Sequence, residues 1–168
     1  MFDWYVEYEQ LQPLLDEFGQ KAFDAIGQVE AAASASAAAH AAHLPVAAVA
    51  AQATSSPSGA GVGPSFPRSS LPLLDVGCGN SGLGADLYKH GWTDLTHIDI
   101  SSVVIDRMSE EYRDAPGHYG RWLAMDATRM TFPDDSFAVA VEKGTIDALD
   151  CTPEEQQVCH AILKECAR

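Results

Sequence analysis

The succession of short apolar runs and helical patterns predicts an α/β fold, a doubly wound parallel sheet preceded by an N-terminal helix. Three observations carry this. From Leu71 onward, strand-like and helix-like segments alternate. The run FAVAVE (137–142) is nearly all apolar, as in a strand covered on both faces. A glycine-rich stretch, DVGCGNSG (75–82), lies between a predicted strand and a predicted helix.

The N-terminal segment, to about residue 29, reads as a helix or helix pair. Tyr8, Leu11, Leu14, Leu15 and Phe18 recur at three- and four-residue spacing and form one apolar face, while Gly19 and Gly27 weaken the helix beyond that face. Residues 31–70 are low in complexity, rich in Ala, Ser, Pro and Gly, and read as a flexible insertion. The predicted organisation is therefore 1–30, a helical region; 31–70, the insertion; and 71–168, the α/β domain.

Within that domain LPLLDVG is the first strand, and a helix runs from about Leu83 to His90, closed by Gly91. DLTHIDI is the second strand. Ser101 or Ser102 caps the next helix, which carries Val104, Ile105 and Met108. RWLAMD and FAVAVE are the third and fourth strands. The last helix opens on TPEEQ, with Thr152 as N-cap, Pro153 at its first position and Glu155 completing a capping box. Val158, Ile162 and Cys166 then share a face.

Of 168 residues, 24 are acidic and 10 basic, a net charge of −14 with His neutral. Residues 31–70 hold only Arg68, so the remainder carries −15. This argues against a nucleic-acid backbone or an anionic membrane surface as partner and suits a basic protein better. No basic, apolar leader opens the chain, and Cys78, Cys151, Cys159 and Cys166 form no CxxC pair. The expectation is free thiols in a reducing, cytoplasmic setting. The histidines show no metal-ligand spacing outside the insertion, so no metal is expected.

Gly77, Gly79 and Gly82 match GxGxxG, and Asp99 lies 22 residues past Gly77 at the end of the second strand, where a carboxylate can accept from ribose hydroxyls. The domain is thus Rossmann-like. Asp75 stands two residues before the first motif glycine, where a carboxylate would repel a pyrophosphate. No Lys or Arg lies between Leu71 and Tyr88 to neutralise phosphates. S-adenosylmethionine, which has no phosphate and carries a sulfonium and an ammonium, suits the loop better than a dinucleotide. Asp126 and Ala127 close the third strand, where an acid can meet an adenine amino group or simply hold a turn. Glu142, Lys143 and Gly144 close the fourth.

DVGCGNSGLGADLYKHGWTDLTHIDISSVVIDRM, followed by MDATRMTFPDDSFAVAVEKGTIDAL, resembles the class I S-adenosylmethionine-dependent methyltransferases. Within them it is similar to the group of elongation factor 1A lysine methyltransferases and methyltransferase-like protein 13. FDWYVEYEQLQPLL resembles that group's N-terminal helix, and the likeness spans residues 2–18 and 71–165. The resemblance implies that Trp4 and Tyr8 contact the cofactor, core packing of the helix being the alternative, that Gly77 faces its methionine part, Asp99 and Ile100 its ribose and Asp126 and Ala127 its adenine, and that Lys143 completes the pocket; Gly79 and Asp75 of the loop count among the cofactor-binding residues. Methyl transfer to a protein lysine is implied, elongation factor 1A being the named substrate. Glu142 and Asp147 are candidates for orienting the substrate amine, or for a structural role. The family's fold has seven strands, whereas this chain stops in the helix after the fourth. The expectation is a domain incomplete at its C-terminus, with an unpaired apolar strand edge. Two other functions stay open at this point, an inert cofactor-binding or interaction fragment and a nicotinamide-dependent oxidoreductase.

Overall fold

The structure, a computed structural model, describes residues 8–41, 66–149 and 152–168. Four short strands form one all-parallel sheet: β1 (Leu73–Val76), β2 (Leu95–Asp99), β3 (Arg121–Ala124) and β4 (Val139–Glu142), in the order β3-β2-β1-β4. Helices α2 (Leu83–Lys89) and α3 (Ser102–Glu111) come after β1 and β2, while α4 (Thr145–Leu149) and α5 (Pro153–Cys166) come after β4. The predicted parallel α/β architecture is observed, and strand order reverses between β1 and β4, as double winding requires.

Alternation along β1 divides the core. Leu73 points into a cluster with Leu83, Leu87, Trp92, Leu95 and Val139. Leu74 and Val76 belong to a second cluster, with Ile98, Met130 and Ile162. Both predicted caps form: Ser101 Oγ accepts from the Val104 amide at 3.4 Å, and Thr152 Oγ1 from the Glu155 amide at 3.2 Å. The buried face of α5 differs from expectation. Cys159 and Ile162 are buried, whereas Val158 is exposed, because the helix meets the sheet one residue further round. Strand β4 is covered on one face only. Val139 and Val141 are buried, but Ala140 is exposed, since α5 packs its Ile162 against β1 and β2 instead. The outer edge of β4 has no partner strand among the described residues.

Helix α1 runs from Tyr8 to Ala41, beyond the limit expected from Gly27. Its apolar face is narrower than the sequence suggests. Tyr8 and Leu15 are buried, while Leu14 and Phe18 are each 53% exposed. Gly19 does not weaken the helix so much as let it approach: a Cβ there would lie 2.4 Å from Phe66 Cζ. Phe66 is itself buried against Phe23 and Trp92. Of the stretch 31–70 read as an insertion, residues 31–41 continue α1 and 66–70 are placed beside it, while 42–65 lie outside the described residues.

Arg68, the lone charge of that stretch, is the clamp. Its Nε and Nη2 donate to Asp16 Oδ1 at 2.9 and 2.6 Å, and Nη1 donates to the His90 carbonyl at 2.8 Å. One guanidinium thus ties α1 to the end of α2. The pair is partly buried, so Arg68→Ala leaves Asp16 uncompensated, and about 2 kcal/mol of stability is expected to be lost, less than for a fully buried pair. Urea titration checks this. Asp16→Ala added to Arg68→Ala should cost little more, because the two residues act as a unit.

Candidate cofactor site

Because the strands are parallel, their four carboxyl ends meet on one side of the sheet. Gly77 and Gly79 leave β1 with φ of +67° and +54°, a conformation that favours glycine. The Cys78 amide donates to the Ile98 carbonyl at 3.0 Å, which holds the loop against β2. Asp99 completes the attachment. Its Oδ2 accepts from the Gly79 amide at 3.0 Å, and Oδ1 from the Ser101 amide at 2.9 Å. A carboxylate has about four acceptor positions, so two remain for ligand hydroxyls.

Beside it Ile100 is 79% and Val103 75% exposed. Two uncovered apolar side chains next to a half-used carboxylate form a surface suited to an adenosine. Gly79 adds room, since a Cβ there would meet nothing within 4 Å. The residues present therefore fit a nucleoside-bearing cofactor. Gly77 is glycine for another reason. A Cβ there would lie 1.9 Å from Thr145 Oγ1, the first residue of α4, whose hydroxyl sits 3.3 Å from the carbonyls of both Val76 and Gly77.

Asp126 lies just beyond β3 and is engaged locally. Its Oδ1 accepts from the Thr128 amide at 2.9 Å and its hydroxyl at 2.7 Å, and Oδ2 lies 3.3 Å from Arg129. These bonds, that of the Thr128 hydroxyl first, hold its carboxyl below the usual aspartate range. Ala127 is half-buried and packs against the Leu74 side of the core. Lys143 and Gly144 come directly after β4, at the same end of the sheet.

Four expectations need correction or limit. Tyr8 is not at the loop. It is buried with its ring stacked on His90 at 3.9 Å, past the far end of the seven-residue α2, about 10 Å of helix from the glycines. It lies in the core cluster with Leu15, Leu87 and Trp92. Trp4 lies outside the described residues. Asp75 is only 3% exposed, and its Oδ2 sits 2.9 Å from His97 Nδ1, so its carboxylate is committed to β2 rather than presented to a ligand. Glu142 caps α4: its Oε1 accepts from the Thr145 and Ile146 amides, which favours the structural role over orienting an amine. Asp147 is exposed in the first turn of α4, away from these bonds.

His97 and Thr145 were missed by sequence reading. The signal for His97 was available: it is the one imidazole in an apolar strand, at the third position of its run just as Asp75 is of its own.

Cys78, between the two loop glycines, is 5% exposed. Burial, and then the carboxylates of Asp75 and Asp99, pushes its thiol up to about 12. A raised value leaves the neutral thiol dominant well above pH 8. Iodoacetamide at pH 8 is therefore expected to leave Cys78 unlabelled in the folded chain and to label it after unfolding in urea, read by peptide mass spectrometry.

The fold and site define a parallel α/β domain with a glycine loop fastened by an acid at the carboxyl ends of its strands. The family model described as a methyltransferase domain matches residues 73–168, more than half of the chain, and the chain belongs to that family. Among curated proteins it is 48% identical over 99 residues to an "eEF1A lysine and N-terminal methyltransferase homolog" of Drosophila pseudoobscura pseudoobscura, covering 57% of this chain and 14% of that protein. It is 43% identical over 90 residues to the "eEF1A lysine and N-terminal methyltransferase" of Homo sapiens, covering 54% and 13%. It is also 44% identical over 77 residues to "EEF1A lysine methyltransferase 4" of Bos taurus, covering 46% and 29%. The chain thus spans between 13% and 29% of the length of these relatives.

Proposed function

We propose that residues 73–168 form the cofactor-binding part of an S-adenosylmethionine-dependent methyltransferase whose acceptor is a protein lysine, elongation factor 1A by likeness to the named relatives. The observation that carries this is Asp99, fastened to the Gly79 amide with acceptor positions to spare, in a chain of the methyltransferase family. S-adenosylmethionine, when bound, supplies an electrophilic methyl group on a sulfonium. Asp99 would accept from the ribose hydroxyls, and Ile100 with Val103 would exclude water from one face of the adenine. Asp126 Oδ2 and Ala127 would face its amino edge. The backbone of Gly77 and Gly79 would lie against the methionine part, with Lys143 closing the pocket from β4. Catalysis would be chiefly alignment of donor and acceptor. The acceptor amine must be neutral to attack, and solvent takes its proton.

The acidic composition, −14 overall, favours a basic protein partner. A cytoplasmic location, suggested by the free thiols of Cys78 and Cys166, is part of the same proposal. A second reading is favoured by the edge of β4, which has no partner strand among the described residues: the chain binds the cofactor without turning over. Calorimetry with S-adenosylmethionine and with NADH, then tritiated-methyl transfer to elongation factor 1A, separates these. Binding and transfer are expected. Binding without transfer supports the second reading, and binding of NADH alone sinks both.

A further inference from the structure

Asp75 and His97 pair in register across β1 and β2, both deeply buried. His97 Nδ1 lies 2.9 Å from Asp75 Oδ2, and Nε2 lies 2.7 Å from the Tyr119 carbonyl oxygen. A carbonyl only accepts, so Nε2 carries a hydrogen. A carboxylate only accepts as well, so the other bond needs a second hydrogen. A neutral ring beside an ionised carboxylate has one hydrogen too few for both contacts. Both ring nitrogens face acceptor oxygens, so a hydrogen on each nitrogen satisfies the two contacts.

The ring is wholly buried and held from several sides. The Trp122 indole stacks on the imidazole with centroids 4.0 Å apart and planes 19° apart. Helix α2 offers Gly84, where a Cβ would lie 2.7 Å from His97 Cε1. Gly120 closes the slot, a Cβ there lying 3.0 Å from Nε2. Among the titratable groups of the packed elements, Asp75 is the one bonded to the ring. Arg121 on β3 is turned to Asp94 at the surface. The carbonyl that His97 holds belongs to an unusual turn. Gly117, His118, Tyr119 and Gly120 all have positive φ, and two of them carry side chains that disfavour it.

We infer that His97 is a doubly protonated positioning residue: it cancels the charge of Asp75 beneath the glycine loop and pins the left-handed turn 117–120 ahead of β3. Asp75 then neither repels a phosphate nor attracts a sulfonium. The charges that a bound cofactor meets then come from Asp99, Asp126 and the Lys143 placed at the same end of the sheet. Asp75 thus gives no electrostatic reason to prefer S-adenosylmethionine over a dinucleotide, and cofactor choice rests on the rest of the site.

Nitrogen-15 NMR of the His97 imidazole in the full chain at neutral pH tests the proton count without reference to any ligand. Two protonated ring nitrogens are expected; a proton on Nε2 alone overturns the inference. A second measurement rests on the proposed cofactor. Asp75→Asn keeps the shape, and its amide can donate to Nδ1 of a neutral ring, so both charges vanish together. The ratio of affinities for S-adenosylmethionine and for S-adenosylhomocysteine, which lacks the sulfonium charge, should stay within about twofold of the unsubstituted chain. A fall of about tenfold or more would mean that Asp75 acts on the sulfonium itself. Should Asp75→Asn fail to fold, the NMR of the unsubstituted chain decides. Failure of the unsubstituted chain to bind S-adenosylmethionine would defeat the proposed function and leave the NMR result standing.

Discussion

Gly77→Ala is expected to remove about 3 kcal/mol of stability and to abolish cofactor binding. Two costs add. The backbone φ of +67° asks an alanine to adopt a left-handed conformation, about 1 kcal/mol. The added methyl would also lie 1.9 Å from Thr145 Oγ1 and 2.9 Å from its Cβ, so either the loop or the start of α4 must move, about 1–3 kcal/mol. Movement of the loop pulls the Gly79 amide from Asp99, now 3.0 Å away, and with it the surface for the ribose. Urea denaturation and calorimetry give the two numbers. Combining the change with Thr145→Gly removes the clashing side chain but not the φ penalty. Part of the stability should return; if none does, the contact with Thr145 is not the cause.

Asp99→Ala should weaken S-adenosylmethionine binding about 100-fold. Each hydrogen bond from a ribose hydroxyl to a carboxylate contributes about 1.5 kcal/mol, and two of them correspond to about two factors of ten. The change also strips the acceptors from the Gly79 and Ser101 amides, so the loop loosens as well as losing its ribose contact. Asp99→Asn separates these effects. Its amide oxygen can still accept from one backbone donor, so stability should fall less than in Asp99→Ala while affinity falls nearly as far. An affinity within about threefold of the unsubstituted chain in Asp99→Ala would contradict the assignment of Asp99 to the ribose.

Much of the fold was legible because it is written locally. β1 and β2 are short apolar runs bounded by turn residues, and α3 and α5 announce themselves by Ser101 and Thr152, whose side chains cap them as predicted. The glycine loop and Asp99 were legible because a strand, a tight turn and an acid at a set distance leave a pattern in one dimension. Reading failed where a residue's partner is remote. Tyr8 looks equally fit to cover a cofactor or to pack, and only the docking of α1 on the end of α2 puts it against His90. Val158 and Ala140 fit their apolar patterns, yet both are exposed, because periodicity says which residues share a face and not which face is covered. The left-handed turn at 117–120 has a single warning in its glycines, and nothing local shows that a buried imidazole holds it.

The sequence by itself determined the parallel α/β class, the order of its strands and longer helices though not the short α4, the loop, the acid that fastens it and the family resemblance. These depend on near neighbours along the chain, whose geometry a short stretch dictates. Tertiary structure alone decided which charges face a ligand. Asp75, Glu142 and Arg68 are all chemically apt for a site, and all three are occupied within the fold, by His97, by the start of α4 and by Asp16. The physical reason is that a buried or half-buried charge must find a counter-charge or donors wherever packing brings them, and packing joins residues that the sequence keeps far apart.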